Sequence, residues 1–294
     1  MKEKTIYALG FFDGVHIGHQ ALLHACRELA QSMAIGAGVV TFTTHPDGLV
    51  SGNAPLLINT AGDRRRLLKD YGIQTVVELT FDQALMNMPW QEFFALLQEK
   101  YGAAGFVCGE DFRFGKGGEG TAEVLKKACL EKGMPCTVIP QQKIGAVAVS
   151  STHIRRLLEE GDMEKAVEFL GHRHVISGQV VSGRKLGRTL GVPTANLHLP
   201  ENLVCPKFGV YAGVAEVKGE TYLAVTNIGT RPTVGGHHVT VEAWLLDFEG
   251  ELYGETLTLS LSNFLRPEKK FANVAALQGE IQKNALQTRE LLGK

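Results

Sequence analysis

Gly10-Phe11-Phe12-Asp13-Gly14-Val15-His16-Ile17-Gly18-His19 is the stretch that decides the fold. It follows the apolar run Ile6-Tyr7-Ala8-Leu9 and opens a segment in which Leu22, Cys26, Leu29 and Ala30 recur at helical spacing. A glycine-rich turn from strand to helix puts bare backbone N–H groups and the positive end of a helix at one point, where an anion is held. His16 and His19, three apart at that point, can both reach one phosphate chain, so the spacing His-x-Gly-His points to nucleotidyl transfer. The plain alternative is a metal site. Zinc, however, needs further Cys, His or carboxylate ligands, and neither Cys-x-x-Cys nor His-Glu-x-x-His occurs in the chain.

Outward from this motif the first half alternates strand and helix. Val39 to Phe42, Thr75 to Leu79, Phe106 to Cys108 and Cys136 to Ile139 read as strands, with helices over Gln91 to Tyr101 and Thr121 to Lys132. That rhythm predicts a parallel sheet with helices on both faces, an α/β nucleotidyltransferase-like (Rossmann-like) domain whose ligands bind beyond the carboxyl ends of the strands. Two short helices follow, Thr152 to Glu160 and Asp162 to Leu170, with Asp162 as N-cap and Gly171 as terminator. From His174 the texture changes to β-rich runs: Val175 to Ser182, Val210 to Val217, Tyr222 to Asn227, Val239 to Phe248 and Thr256 to Ser262. Lys218-Gly219 and Glu249-Gly250 sit between runs as hairpin turns do, so a small antiparallel β-barrel is expected. A closing amphipathic helix from Asn273 to Leu292 places Leu277, Ile281 and Leu286 on its apolar side. Two domains are expected, 1–172 and 173–294.

Composition narrows the function. The 294 residues are 44% hydrophobic and 21% charged, as in a soluble globular protein. A formal net charge of −1 gives no reason to expect nucleic acid or an anionic membrane as partner. Five scattered cysteines argue against a disulfide framework and for a reducing compartment. The short apolar run before the motif is too short for a signal peptide, and no stretch approaches a membrane span, so a cytoplasmic protein is expected.

Further chemistry sits at the other strand ends. Thr41-Phe42-Thr43-Thr44-His45-Pro46 brings His45 beside the first loop; a histidine before proline is otherwise a turn residue. Asp111-Phe112-Arg113-Phe114-Gly115 mixes aromatic rings with a cation, which suits a flat ring carrying a phosphate; the plain alternative is a packed loop. Ser150-Ser151-Thr152-His153-Ile154-Arg155 opens a helix with three hydroxyls, a second phosphate cradle or a simple cap. In the second half, Gly183-Arg184-Lys185-Leu186-Gly187-Arg188-Thr189-Leu190-Gly191 is a cationic glycine loop without a P-loop ending. Thr194 and Asn196, two apart on an extended segment, face the same way and offer hard oxygens to magnesium held with ATP phosphates. Glu242 lies in the apolar run Val239 to Leu246. Partial desolvation there is expected to raise its pKa, which suits a general base; the alternative is an exposed edge-strand glutamate.

Together these pieces, with Gly191-Val192-Pro193-Thr194-Ala195-Asn196, Asn227-Ile228-Gly229-Thr230-Arg231-Pro232-Thr233 and Leu246-Asp247-Phe248 through Leu252-Tyr253-Gly254, make the chain resemble the bacterial bifunctional riboflavin kinase/FAD synthetase (FMN adenylyltransferase) family along essentially its whole length. The resemblance implies an adenylyltransferase domain that makes FAD and pyrophosphate from FMN and ATP, then a six-stranded riboflavin kinase barrel that makes FMN from riboflavin and ATP. Magnesium serves both, and flavins are substrate and product. By the same resemblance, Gly10, Phe11, Asp13, Gly14, His16, Gly18, His19, His45, Ser151, Thr152 and Arg156 meet ATP in the first domain, with His16 and His19 catalytic. Asp111, Phe112 and Arg113 lie on the FMN side. In the kinase, Gly183, Lys185, Gly187, Arg188, Gly191, Thr194 and Asn196 meet ATP, Thr194 and Asn196 hold the metal, Glu242 is the base, and Arg266 closes the flavin side with it.

One position departs from the family pattern: Ser-Ser-Thr-Arg-Ile-Arg is usual, and His153 replaces the first arginine. A histidine is mostly neutral at pH 7. The competing readings are a riboflavin kinase whose first domain is weakened or silenced by that change, a different nucleotidyltransferase with the barrel as specificity module, and a flavin-sensing regulator. The last needs a nucleic-acid surface that neither charge nor motif offers. The pattern leaves the oligomeric state open.

Overall fold

The computed structural model describes residues 3–181, 194–233 and 236–293. The chain divides into two compact units: residues 1–56 with 64–151, and residues 57–63 with 152–294. The division expected at 172/173 differs from this partition over residues 57–63 and 152–172.

The first unit is built on a five-stranded sheet. Its strands are β1 (Thr5–Leu9), β2 (Gly36–Phe42), β3 (Thr75–Leu79), β4 (Ala103–Gly109) and β5 (Cys136–Ile139). They pair in the order β3-β2-β1-β4-β5 and every pair is parallel. β1 is buried along its whole length, as a central strand covered by helices on both faces must be. The helices are amphipathic. α1 (Ile17–Ser32) buries Leu23, Cys26 and Ala30; α2 (Ala61–Asp70) spans the point where the units divide; α3 (Trp90–Tyr101) buries Phe93, Phe94 and Leu97; α4 (Ala122–Glu131) buries Leu125 and Cys129. Thr121 caps α4 through its hydroxyl, which accepts from Val124 N–H at 3.3 Å. The strand order reverses between β1 and β4, so the crevice that such a sheet offers a ligand lies beyond those two carboxyl ends. The loop from Gly10 follows one of them and the Asp111–Arg113 loop follows the other.

The second unit holds α5 (Ser151–Glu160, whose first residue belongs to the other unit), α6 (Met163–Leu170) and six antiparallel strands. The strands are β6 (His174–Gln179), β7 (Thr194–His198), β8 (Gly209–Val217), β9 (Glu220–Thr233), β10 (Gly236–Leu245) and β11 (Thr256–Pro267). They pair in the order β6-β11-β8-β9-β10-β7. The sheet curls until its edges meet at a bridge, where Val181 N–H donates to the Asn196 carbonyl at 2.8 Å. This is the expected barrel, in the form of a curled half-barrel. Its inner face is apolar: Ala215, Ala224, Ile228, Val241, Ala243, Leu257, Leu259 and Leu261 are almost fully enclosed.

Lys218 and Gly219 both have positive φ (53° and 80°) and close the β8–β9 hairpin, as a two-residue turn of the primed type requires. Glu249-Gly250 is not a hairpin turn: β10 pairs with β9 and β7, while β11 pairs with β6 and β8. The last helix, α7 (Val274–Leu292), is capped by Asn273, whose side chain accepts from Ala276 N–H at 2.9 Å. It docks through Asn284, Ala285 and Thr288, not through Leu286, which is 62% exposed. Small and hydrogen-bonding residues let this helix lie close to the strands beneath it. Ala285 packs with Val210, Val225 and Leu246.

Residues 57–63 complete the second unit. Leu57 N–H donates to the Asn202 carbonyl and its own carbonyl accepts from Val204 N–H, both at 2.8 Å. Asn59 Nδ2 donates to the Val175 carbonyl at 3.1 Å, and Asp63 accepts from Thr60 and Ser177. All five cysteines are free thiols. Among the described residues, no helix is long and apolar enough to cross a membrane.

Candidate active sites

The first site grows from the Gly10–His19 turn. To leave β1 and enter α1 the backbone passes through left-handed conformations at Phe12 (φ 60°), Gly14 (φ 81°) and Val15 (φ 41°). Such values are unusual for a β-branched residue and persist only where the surroundings over-determine them. Here Val15 N–H donates to the Phe12 carbonyl at 3.1 Å, and Gln20 Nε2 donates to the Val15 carbonyl at 2.9 Å. Thr41 Oγ1, on β2, donates to the Phe11 carbonyl at 2.9 Å, and Ser151 Oγ donates to the Asp13 carbonyl at 2.9 Å. The turn is therefore pinned from two separate elements.

His16 is the N-cap of α1: its Nδ1 accepts from His19 N–H at 3.3 Å. Accepting at Nδ1 leaves the proton of the neutral ring on Nε2. The two imidazoles stack, with centroids 3.6 Å apart and planes 12° from parallel. A Cβ at Gly18 would stand 3.2 Å from the His16 ring, so glycine between the histidines is what lets the stack form. Burial, then His16, then the Arg64 charge hold His19 well below the usual imidazole range. His45 meets the Phe11 ring edge-on at 4.6 Å, and its Nδ1 accepts from Asp47 N–H at 3.2 Å.

Sequence reasoning passed over Arg64. Its guanidinium stands 4.3 Å over the Phe11 ring, and Nη2 donates to the Phe42 carbonyl at 2.7 Å. The residue is only 1% exposed. The run Arg64-Arg65-Arg66 looks like a solvated helix face. The signal that could have found it is Leu67 and Leu68 at i+3 and i+4, which put Arg64 on the apolar side.

Beyond β4, Phe112 and Phe114 stack at 5.6 Å and 17°, while Asp111 and Arg113 are exposed. Arg113 and Phe114 form a short ladder with Gly120 and Thr121. On α5 the His153 ring packs against Phe169 at 4.7 Å, and Arg156 pairs with Glu160 at 3.7 Å. Thr152 and Arg156 are exposed.

The second site lies on the outer face of the curled sheet. Register makes Glu242 on β10 the direct neighbour of Asn196 on β7 and of Asn227 on β9. Directly opposed residues point to the same face with Cβ atoms about 5 Å apart, so the three form a polar row. Thr194 stands two residues along the same face, opposite Trp244. Glu242 is not on an edge strand, and it is half-buried. Asn227, which sequence reasoning quoted without a role, also donates through Nδ2 to Glu268 at 3.4 Å. Arg266 lies at the far end of the row, paired with Val210. Its Nε donates to Asn284 Oδ1 at 3.1 Å and stands 3.3 Å from Glu280, so it ties β11 to α7. Gly183, Lys185, Gly187, Arg188 and Gly191 lie outside the described residues.

Residues 1–153 match the family described as FAD synthetase, and residues 170–292 match the one described as Riboflavin kinase. Relatives named Bifunctional riboflavin kinase/FMN adenylyltransferase are similar over nearly the whole chain. The one from Escherichia coli is 37% identical, covering 99% of this chain and 94% of the relative. The one from Listeria monocytogenes is 33% identical, covering 98% and 93%. A crystal structure from Streptococcus pneumoniae, described as a macrolide-efflux protein, is 30% identical with a TM-score of 0.87, covering 98% of this chain and 95% of that one. With a histidine pair at the switch point of one unit, a Glu242–Asn196 pair in the other, and both family matches in this order, the chain belongs to the bifunctional riboflavin kinase/FMN adenylyltransferase family.

Proposed function

We propose that the chain performs two successive transfers. The second unit moves the γ-phosphoryl of ATP to the 5′-hydroxyl of riboflavin, giving FMN. The first unit then moves AMP from a second ATP to FMN, giving FAD and pyrophosphate. The observation that carries this reading is the presence, in one chain, of two separately built sites of matching chemistry. One is a stacked histidine pair at a helix start, and the other is a carboxylate in register with an asparagine.

In adenylyl transfer there is little covalent work for the protein to do, so placement and charge stabilisation dominate. His16, His19 and the first turn of α1 receive the phosphates, with Gly10, Phe11, Asp13, Gly14 and Gly18 shaping the turn. His45, Ser151, Thr152 and Arg156 serve ATP, and Asp111, Phe112 and Arg113 serve FMN. In the kinase, Glu242 takes the proton of the attacking hydroxyl. Thr194, Asn196 and Glu242 share one face, and their hard oxygens fit magnesium, which binds few protein ligands together with substrate phosphates. Bound there, magnesium would neutralise charge on the ATP phosphates. Arg266 supports the flavin side from its anchorage on α7, and Gly183, Lys185, Gly187, Arg188 and Gly191, outside the described residues, are assigned to ATP by the family pattern. His153 is engaged with Phe169, and Arg155 and Arg156 supply cations on the same helix, so both activities are expected to survive the departure at 153.

Incubation of the purified protein with riboflavin, excess ATP and magnesium, followed by separation of products, tests the reading. FMN appearing first and FAD after it supports both steps. FMN alone, with no FAD even when FMN is supplied directly, overturns the role given to the first unit.

A further inference from the structure

Among the described residues Arg64 is the largest fully enclosed side chain, and a buried guanidinium is retained only for a reason. Its environment does not supply one in terms of stability. Only Nη2 has a hydrogen-bond partner; Nε and Nη1 are buried and have none among the described residues. Asp13 and Glu78 act on it at the range of charges, not of hydrogen bonds. Burial disfavours its charge, and these two carboxylates offset part of that. A leucine or methionine would fill the same space without orphaned donors.

What the position does provide is a fixed positive charge behind the Gly10–His19 turn. The guanidinium is held at both ends, on the Phe42 carbonyl at the carboxyl end of β2 and over the Phe11 ring inside the turn. Its field reaches the stacked His16–His19 pair. We infer that Arg64 is a positioning residue for adenylyl transfer, one that clamps Phe11 to the end of β2 and supplies a permanent cation behind the two histidines where negative charge develops on the phosphates. The inference rests on the adenylyl-transfer reading of this site. It adds a residue that does not touch the reacting atoms but fixes the place of those that do and sets a charge behind them. The Arg64 guanidinium is a charge that is not lost by titration.

Arg64→Met and Arg64→Lys in the full chain test this, with riboflavin phosphorylation by the same protein as the control for folding. Met keeps the length and loses the charge; Lys keeps the charge and loses the planar fork. With supplied FMN and saturating ATP, Arg64→Met is expected to lower kcat for FAD formation by about 30-fold or more. KM for FMN should change by less than about threefold, and Arg64→Lys should recover most of the loss, while the kinase is unaffected. Full FAD synthesis by Arg64→Met overturns the inference. So does a Lys variant no better than Met, which marks packing, not charge. A parent protein that makes no FAD from FMN overturns the underlying reading instead, and the two failures are thereby told apart.

Discussion

Replacing Glu242 with glutamine removes one function of the second site and leaves its scaffold in place. Glu242 lies on an interior strand, and its backbone pairing with Asn196 and Asn227 does not depend on the side chain. The amide has the size of the carboxylate, so no cavity opens and the change in stability should stay within about 1 kcal/mol. What is lost is the proton acceptor. A positioned general base contributes about 10²–10⁴-fold, so the barrier to FMN formation should rise by about 3–5 kcal/mol. The assay is the rate of FMN formation from riboflavin and ATP, set beside the rate of FAD formation from supplied FMN. The second rate should stay within about twofold of the parent, since the substitution lies in the other unit. A Glu242→Gln protein that still makes FMN within tenfold of the parent refutes the general-base argument.

Further outcomes follow from other parts of the molecule. His16→Asn keeps an N-cap acceptor and loses the ring, whereas His16→Ala loses both. Both should lower FAD formation by about 10²-fold, but only Ala should also cost about 1 kcal/mol in thermal unfolding. His174 is 1% exposed and burial pushes its pKa to about 3. The unfolded chain therefore takes up that proton first, and stability from this residue is complete above pH 6.5 and declines as pH falls toward 3. Between pH 6.5 and 5 the loss should be about 2 kcal/mol, seen in urea unfolding and absent in His174→Phe. At Gly105, on β4, an added Cβ would stand 2.7 Å from Ile6 Cδ1 and 2.8 Å from Pro135 Cγ. Gly105→Ala should cost about 1–3 kcal/mol by overpacking, read from the same denaturant curves.

Local rules made most of this legible. The apolar run, glycine turn and helical spacing around Gly10 to His19 specify strand, turn and helix, and Lys218-Gly219 specifies a hairpin because only residues tolerant of positive φ fit there. Glu249-Gly250 looks the same in sequence, yet the strands on either side do not pair. Which strands meet is set by packing partners far along the chain, such as β6 with β11, and no local pattern records that. Leu286 misled because helix docking is set by fit as well as by hydrophobicity, and α7 needed a close approach at Asn284, Ala285 and Thr288. Arg64 was hidden by two neighbours of its own kind, Arg65 and Arg66. The row Asn196–Glu242–Asn227 emerges only from register, although its first two members had been singled out by chemistry.

The short stretch 57–63 means that the molecule cannot be dissected with one cut. A fragment starting after the first half would lack the backbone that hydrogen-bonds Asn202 and Val204, the amide that reaches the Val175 carbonyl, and the carboxylate that Ser177 meets. The kinase half is thus completed by a peptide encoded more than a hundred residues upstream of its first strand. During synthesis that peptide leaves the ribosome long before its seat exists, so the second half cannot close until the whole first half has been made. The two transfers are linked in order of assembly as well as in order of reaction.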